Sequence, residues 1–327
     1  MNVSVEITTY DRAEVLRRVL ELLARQTFPA DQFEVVISDD GSTDGLVAMV
    51  EAMAKDLPYA VQILGHQHQG PGHAHNCGIR ACRGEIVVML AADILPTAEL
   101  VEEHVKTHGQ HTAEEVVVAG GLVQSQETPR TVLQRCFDEN VDRVFQGTAQ
   151  VLQHGGFLVS NISFKKAFML REGMFHEWPP AAGEDIELGY RLTGKGMQLV
   201  HNPRALGHHH HEVTVESLAA RAYMTGYHSH YFAERVPELW VRKRFGTVRL
   251  ADGAALYLRT MLKNAIRRVL LNRLTIEWLV VAPIRRAEHR PRLAPLVPAL
   301  TNALTSYYFR RGARDFNHGI RGSFTAW

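Results

Sequence analysis

Two adjacent carboxylates, Glu184 and Asp185, are the first residues with reactive potential. They follow the loop Trp178-Pro179-Pro180-Ala181-Ala182-Gly183 and open a run of good helix formers that Gly194 and Gly196 end. An acidic pair in a first helical turn lies at the positive end of the macrodipole and stays ionised. Such a carboxylate suits a general base taking a proton from an incoming hydroxyl, or it simply caps the helix. A second acidic concentration, Asp39-Asp40-Gly41-Ser42-Thr43-Asp44-Gly45, has the composition of a turn. Within it Asp39 or Asp40 offers an acceptor for a base N–H or for ribose hydroxyls. There is neither GxGxxG nor GxxxxGK[ST], so dinucleotide and P-loop phosphate sites are unsupported.

The elements that must position these groups follow from periodicity. Val3, Val5 and Ile7 alternate as in a strand, and Thr8–Arg12 follows as a loop. Residues 15–25 have helical spacing, and 33–38 form a largely apolar strand of the kind buried in parallel sheets. Helix 46–55, strand 60–64, a loop and helix over 70–83 and strand 85–90 continue the alternation, which argues for a doubly wound α/β sheet. Ligands of such sheets bind beyond the carboxyl ends of the strands, where the polar loops 8–12, 39–45 and 91–93 all fall.

Composition bounds the reading. The 327 residues can bury a sizeable core, and 46% hydrophobic and 22% charged residues are ordinary for a globular protein. Cys77, Cys82 and Cys136 lack ligand spacing and an even count, and are expected to be reduced thiols. Met1 runs directly into a strand and no stretch has the length and apolarity of a membrane span. A cytoplasmic location is therefore expected, peripheral at the inner face of the membrane. Residues 240–327 carry 17 Lys+Arg against 4 Asp+Glu, a net of +13, while the preceding 19 basic and 31 acidic residues net −12. An acidic body with a basic, apolar-interleaved tail points to an anionic membrane surface as the tail's partner, with solvent-facing arginines of a helical cap as the other reading. Nothing resembles a base-reading module, so no nucleic acid is expected.

Taken in order, TTYDR, SDDGSTDG, GPGHAHNCGI, MLAAD, LVSNISF, GEDIELGYRL and a downstream histidine resemble the inverting family 2 glycosyltransferases of GT-A fold, over roughly the first 230 residues. The resemblance implies an α/β GT-A domain (Rossmann-like, mostly parallel central sheet with flanking helices) over 1–230, and a basic α-helical C-terminal extension over 231–327. It implies transfer of a sugar from a UDP-sugar to a glycan, lipid-linked or small-molecule acceptor, assisted by Mn²⁺ or Mg²⁺. Carried over by position, Thr8, Tyr10 and Asp40 resemble base-contacting residues, with Asp39 beside them, and His75 and Asn76 stand where the family commonly has Arg-Asn near ribose and diphosphate. Asp93 resembles the last residue of the Asp-x-Asp metal motif, whose first residue is Ala91 here. Among His208–His211, His209 is the expected metal ligand by spacing, with His210 next. Asp185 resembles the catalytic base and Glu184 its neighbour that holds hydroxyls. Residues 158–164 resemble the strand under the acceptor site, Gly173–Glu177 stands in the place of GGFDE, and Trp178 either stacks on a sugar or packs its loop. Residues 124–153 are expected to form a helix and a variable insertion. Ala91 and His75 motivate the alternative of a sugar-nucleotide-binding scaffold that has lost turnover.

Overall fold

β1 (Val3–Thr9) alternates Val3, Val5 and Ile7 with Ser4, Glu6 and Thr8, and it is covered on both faces. In the computed structural model, which describes residues 2–137, 157–177, 183–235, 238, 243, 248 and 250–320, this strand lies within an eight-stranded sheet. The others are β2 (Phe33–Asp39), β3 (Ala60–Gly65), β4 (Ile86–Leu90), β5 (Ile94–Pro96), β6 (Val116–Gln124), β7 (Asn161–Lys165) and β8 (Gln198–His209). Their order is β3-β2-β1-β4-β7-β6-β8-β5. The half from β3 to β4 is parallel throughout, as its apolar runs led one to expect. In the other half β7 is antiparallel to β4 and β6, β8 is parallel to β6, and β5 is antiparallel to β8.

Helices α1 (Ala13–Leu23), α2 (Leu46–Met53), α3 (Pro71–Ala81) and α4 (Leu100–Gln110) fill the crossovers. On one face Leu16, Val19 and Leu20 of α1 join Val3, Val5 and Ile7 in one apolar cluster. On the other, α3 passes close to β1 because Gly78 has no side chain; a β-carbon there would lie 2.6 Å from Glu6 Oε1. α5 (Lys166–Glu172) and α6 (Glu184–Thr193) complete this part.

A buried polar chain joins α4 to β7. Asn161 Nδ2 donates to Gly121 O (3.0 Å) and Ala205 O (2.8 Å), so its Oδ1 accepts from His104 Nε2 (2.9 Å). His104 Nδ1 then accepts the Ser163 hydroxyl (2.8 Å), and Ser163 Oγ accepts from His108 Nε2 (2.9 Å). Each proton is assigned by the donor before it. Gly120 makes room, since a β-carbon there would sit 2.2 Å from Asn161 Nδ2.

Two compact units divide the chain: residues 1–128, 138–180 and 184–211 in one, and 129–137, 181–183 and 212–327 in the other. The boundary expected at residue 230 falls inside α7 (Val215–Arg235), a continuous helix of the second unit. That unit also holds α8 (Ala254–Leu270), α9 (Ala282–Ala287) and α10 (Val297–Asn317). α7 and α10 touch through backbone at Gly226 and Gly312, where a β-carbon would lie 1.9 Å from Phe309 O and 2.0 Å from Tyr223 O. Much of the tail's apolar content forms a core of its own around Ala219, Tyr223, Val280, Val281, Leu304 and Tyr308. Leu258, Leu262, Leu274 and Trp278 stay exposed. No helix among the described residues is long and apolar enough to cross a membrane. Residues 132–137 are helical; residues 138–153 of the expected insertion, and Trp178, lie outside the described residues.

Candidate active site

A cleft of about 350 Å³ opens at the carboxyl edge of β1, β2 and β4, lined by Thr8, Thr9, Tyr10, Arg12, Asp40, His68, Pro71, Ala91, Ala92 and Asp93. Parallel pairing puts these loops side by side: Thr8 is level with Ser38 and Thr9 with Asp39. The three loops expected at this edge therefore meet in one place.

The two neighbouring aspartates are used differently. Asp39 is buried and turns inward, accepting from the Ser42 amide (3.1 Å) and hydroxyl, so it shapes the turn. Asp40 accepts from the Gln69 (2.8 Å) and Gly70 (2.9 Å) amides and lies 2.9 Å from His68 Nδ1. The His68 ring in turn packs on Tyr10, with centroids 4.6 Å apart. Tyr10 is 46% exposed and presents an open aromatic face at the cleft. Sequence reasoning missed His68, because it follows β3 in a segment with no periodic signal.

Beneath the cleft, Thr8 Oγ1 donates to Glu6 Oε1 (2.7 Å) and lies 2.9 Å from His75 Nδ1, which is also 3.2 Å from Glu6 Oε2. The His75 ring stacks on Phe175 (4.9 Å). Burial alone would lower the His75 pKa, but the Glu6 carboxylate, then Glu184 and Asp185, outweigh it and raise it above the ordinary value. The acidic pair that opens α6 thus makes its field felt at the residue that touches Thr8. Asn76 does other work. Its Nδ2 donates to Phe175 O (2.9 Å) and Glu177 Oε1 (2.8 Å), and its Oδ1 accepts the Phe175 amide (3.0 Å), so both amide hydrogens pin the 175–177 segment. Glu187 reinforces this from α6 through Arg191, whose guanidinium also donates to Glu172 O and Met174 O. The Asp185 carboxylate accepts the amide of Ile186 at 2.8 Å.

The remaining donors meet across the β5–β8 ladder. Ile94 is level with His209, and His210 N donates to Asp93 O (2.8 Å). Asp93 Oδ2 lies 3.7 Å from His209 Nε2 and 3.8 Å from His211 Nδ1, and the two imidazoles stack at 5.4 Å. One ligand atom from each of the three lies within 4.8 Å of the others. Burial would raise the Asp93 carboxyl, but His209, Arg12 and His211 hold it below its ordinary value. His210, the expected second choice, faces the opposite way, 3.5 Å from Arg18 Nη1 and from Ser125 Oγ. The split continues the two-residue alternation of β8, which ends at His209: His211, two residues on, returns to the Asp93 side. That alternation was available in the tetrad as a signal.

Residues 4–172 match the family described as "Glycosyl transferase family 2", just over half of the chain. Validoxylamine A glucosyltransferase of Streptomyces hygroscopicus subsp. jinggangensis is 30% identical over 247 residues, covering 66% of this chain and 58% of that protein. The chain thus spans little more than half the length of this relative. Among solved structures, mannosyltransferase PcManGT from Pyrobaculum calidifontis, in complex with GDP-Man and Mn²⁺, superposes with a TM-score of 0.57 at 21% identity, over 94% of this chain and 86% of that one. Staphylococcus aureus TarS 1–349 in complex with UDP-GlcNAc superposes with a TM-score of 0.52 at 18% identity, over 99% and 94%. At these identities the likeness establishes the fold, the GT-A fold that the sequence resemblance implied.

Proposed function

Because the chain belongs to glycosyl transferase family 2, we propose that it transfers a sugar from a nucleotide diphosphate sugar, of the UDP class, to an acceptor hydroxyl with inversion at the anomeric carbon. The observation that carries this reading is the convergence of the Tyr10–His68–Asp40 group and Asp93 on one cleft at the carboxyl edge of the sheet. Tyr10 supplies a stacking face for a base, with Asp40 and His68 beside it. His75, whose pKa the Glu6 carboxylate raises, stands in place of the family's arginine.

Asp93, His209 and His211 fit a divalent ion: a carboxylate held ionised and two imidazoles, with ligand atoms close enough to share one cation. A dication held by Asp93, His209 and His211 would supply positive charge against the leaving diphosphate. His211 compensates for Ala91, the missing first carboxylate of the motif, and shifts the ligand set towards nitrogen, which favours Mn²⁺ over Mg²⁺. Asp185 takes the proton of the acceptor hydroxyl as the new bond forms on the face opposite the leaving group, and Glu184 orients hydroxyls beside it. A single displacement needs one base and no acid, because the diphosphate leaves as an anion.

The experiment is a panel of UDP- and GDP-sugars with Mn²⁺, read as nucleotide release with and without a panel of glycan, lipid-linked and small-molecule acceptors. Release by the wild type and none by Asp185→Asn supports the enzyme. Binding without release by either supports the scaffold reading that Ala91 motivates. For the tail we propose contact with an anionic membrane through exposed Leu258, Leu262, Leu274 and Trp278 among basic residues. Sedimentation with anionic but not neutral liposomes is expected, and equal sedimentation with both removes the idea.

A further inference from the structure

A second set of donors joins the segment after β3 to α3. His66, His73 and Cys77 each bring one ligand atom to within 4.8 Å of the others. His73 and Cys77 are four residues apart on α3 and so share a face, with Cys77 Sγ 3.5 Å from His73 Nε2. The His66 ring meets the His73 ring edge-on at 5.5 Å. We propose that these three residues bind a thiophilic transition ion of the zinc class, at a site separate from Asp93, His209 and His211.

The protonation states that the surroundings impose are those of a ligand set. Ser38 Oγ donates to Ala74 O (2.7 Å), so it accepts from His66 Nε2 (3.1 Å) and leaves Nδ1 as that ring's lone-pair nitrogen. Glu177 Oε2 accepts from His73 Nδ1 (3.0 Å), which leaves Nε2 with the lone pair, towards the Gln69 amide (3.3 Å) and Cys77 Sγ. Each imidazole therefore has one nitrogen held by an acceptor and a lone pair on the other, as metal-bound histidines do. Two imidazoles and one thiolate select borderline-to-soft ions and reject Mg²⁺ and Ca²⁺, which need oxygen ligands. Three protein ligands leave one tetrahedral position for water.

Binding is a substitution without redox change: the Cys77 S–H bond breaks, an ion–sulfur bond forms and the proton passes to the buffer. Between His66 and His73 run His68, Gln69 and Gly70, which hold the Asp40 carboxylate. An ion tying the two ends of that segment fixes the nucleotide side of the cleft, a means for zinc-class ions to modulate donor affinity.

Cobalt(II) titration of the full chain tests the site. One equivalent is expected to develop a thiolate-to-cobalt charge-transfer band in the near ultraviolet, which Zn²⁺ bleaches and excess Mg²⁺ leaves unchanged. Cys77→Ser is expected to abolish the band, and His66→Gln to weaken cobalt binding about tenfold or more. The double substitution Asp93→Asn with His209→Gln should leave the band intact, because that cluster has no sulfur. Absence of the band in the wild type, its persistence in Cys77→Ser, or undiminished affinity in His66→Gln overturns the proposal.

Discussion

Acid is expected to destabilise the first unit through His104 and His108, because the polar chain from Asn161 to His108 fixes both rings as neutral. Burial pushes His104 down to about 4 and His108 to about 3, from an ordinary value of 6.5. A folded-state value below the unfolded one means that, between 6.5 and the folded values, the unfolded chain binds protons that the folded chain refuses. Stability contributed by the two rings is therefore fully present above 6.5 and falls as the pH falls through that window. At about pH 5.5 the loss is about 1.4 kcal/mol per histidine, or about 3 kcal/mol for the pair. A proton on His104 would place an N–H against the Ser163 hydroxyl that now donates to it. The same chain holds Ala205 O through Asn161, so loosening it also loosens the strand that ends at His209, two residues before His211. Urea unfolding followed by circular dichroism at pH 7 and 5.5 measures the loss, and His108→Leu should roughly halve the part due to these rings. Imidazole C–H resonances followed by NMR give the direct reading. Either ring titrating near its ordinary value in the folded protein refutes the reasoning.

Four further outcomes are expected. Asp185→Asn should lower nucleotide release by about 10²- to 10⁴-fold while donor affinity, measured by calorimetry, stays within about twofold. His209→Ala and His211→Ala should each weaken Mn²⁺ binding, measured by electron paramagnetic resonance, by about tenfold or more, whereas His210→Ala should not, because that ring faces Arg18 and Ser125. Chelation with EDTA should stop nucleotide release, and added Mn²⁺ should restore it more fully than Mg²⁺ at equal concentration. Gly312→Ala should destabilise the second unit by about 1–3 kcal/mol in a thermal melt, since its β-carbon would strike the Tyr223 carbonyl.

The sequence by itself determined the alternation of strand and helix through β4, because strands of a parallel sheet covered on both faces are rich in apolar residues, as Val35–Ile37 and Ile86–Leu90 are. Motif order likewise placed Thr8, Asp40 and Asp93 at the carboxyl edge, since strand polarity sends every βα loop there. Local pattern could not reach the pairing of Asp93 with His209 and His211, residues more than a hundred positions apart. That pairing depends on β8 running antiparallel to β5, with a register shift against β6 at Gly120/Gly121. Nor could it tell Asp39, which turns into its own loop, from Asp40, which takes the amides of Gln69 and Gly70. Which donor a carboxylate meets is decided by the neighbouring strands and loops, and only folding brings those together.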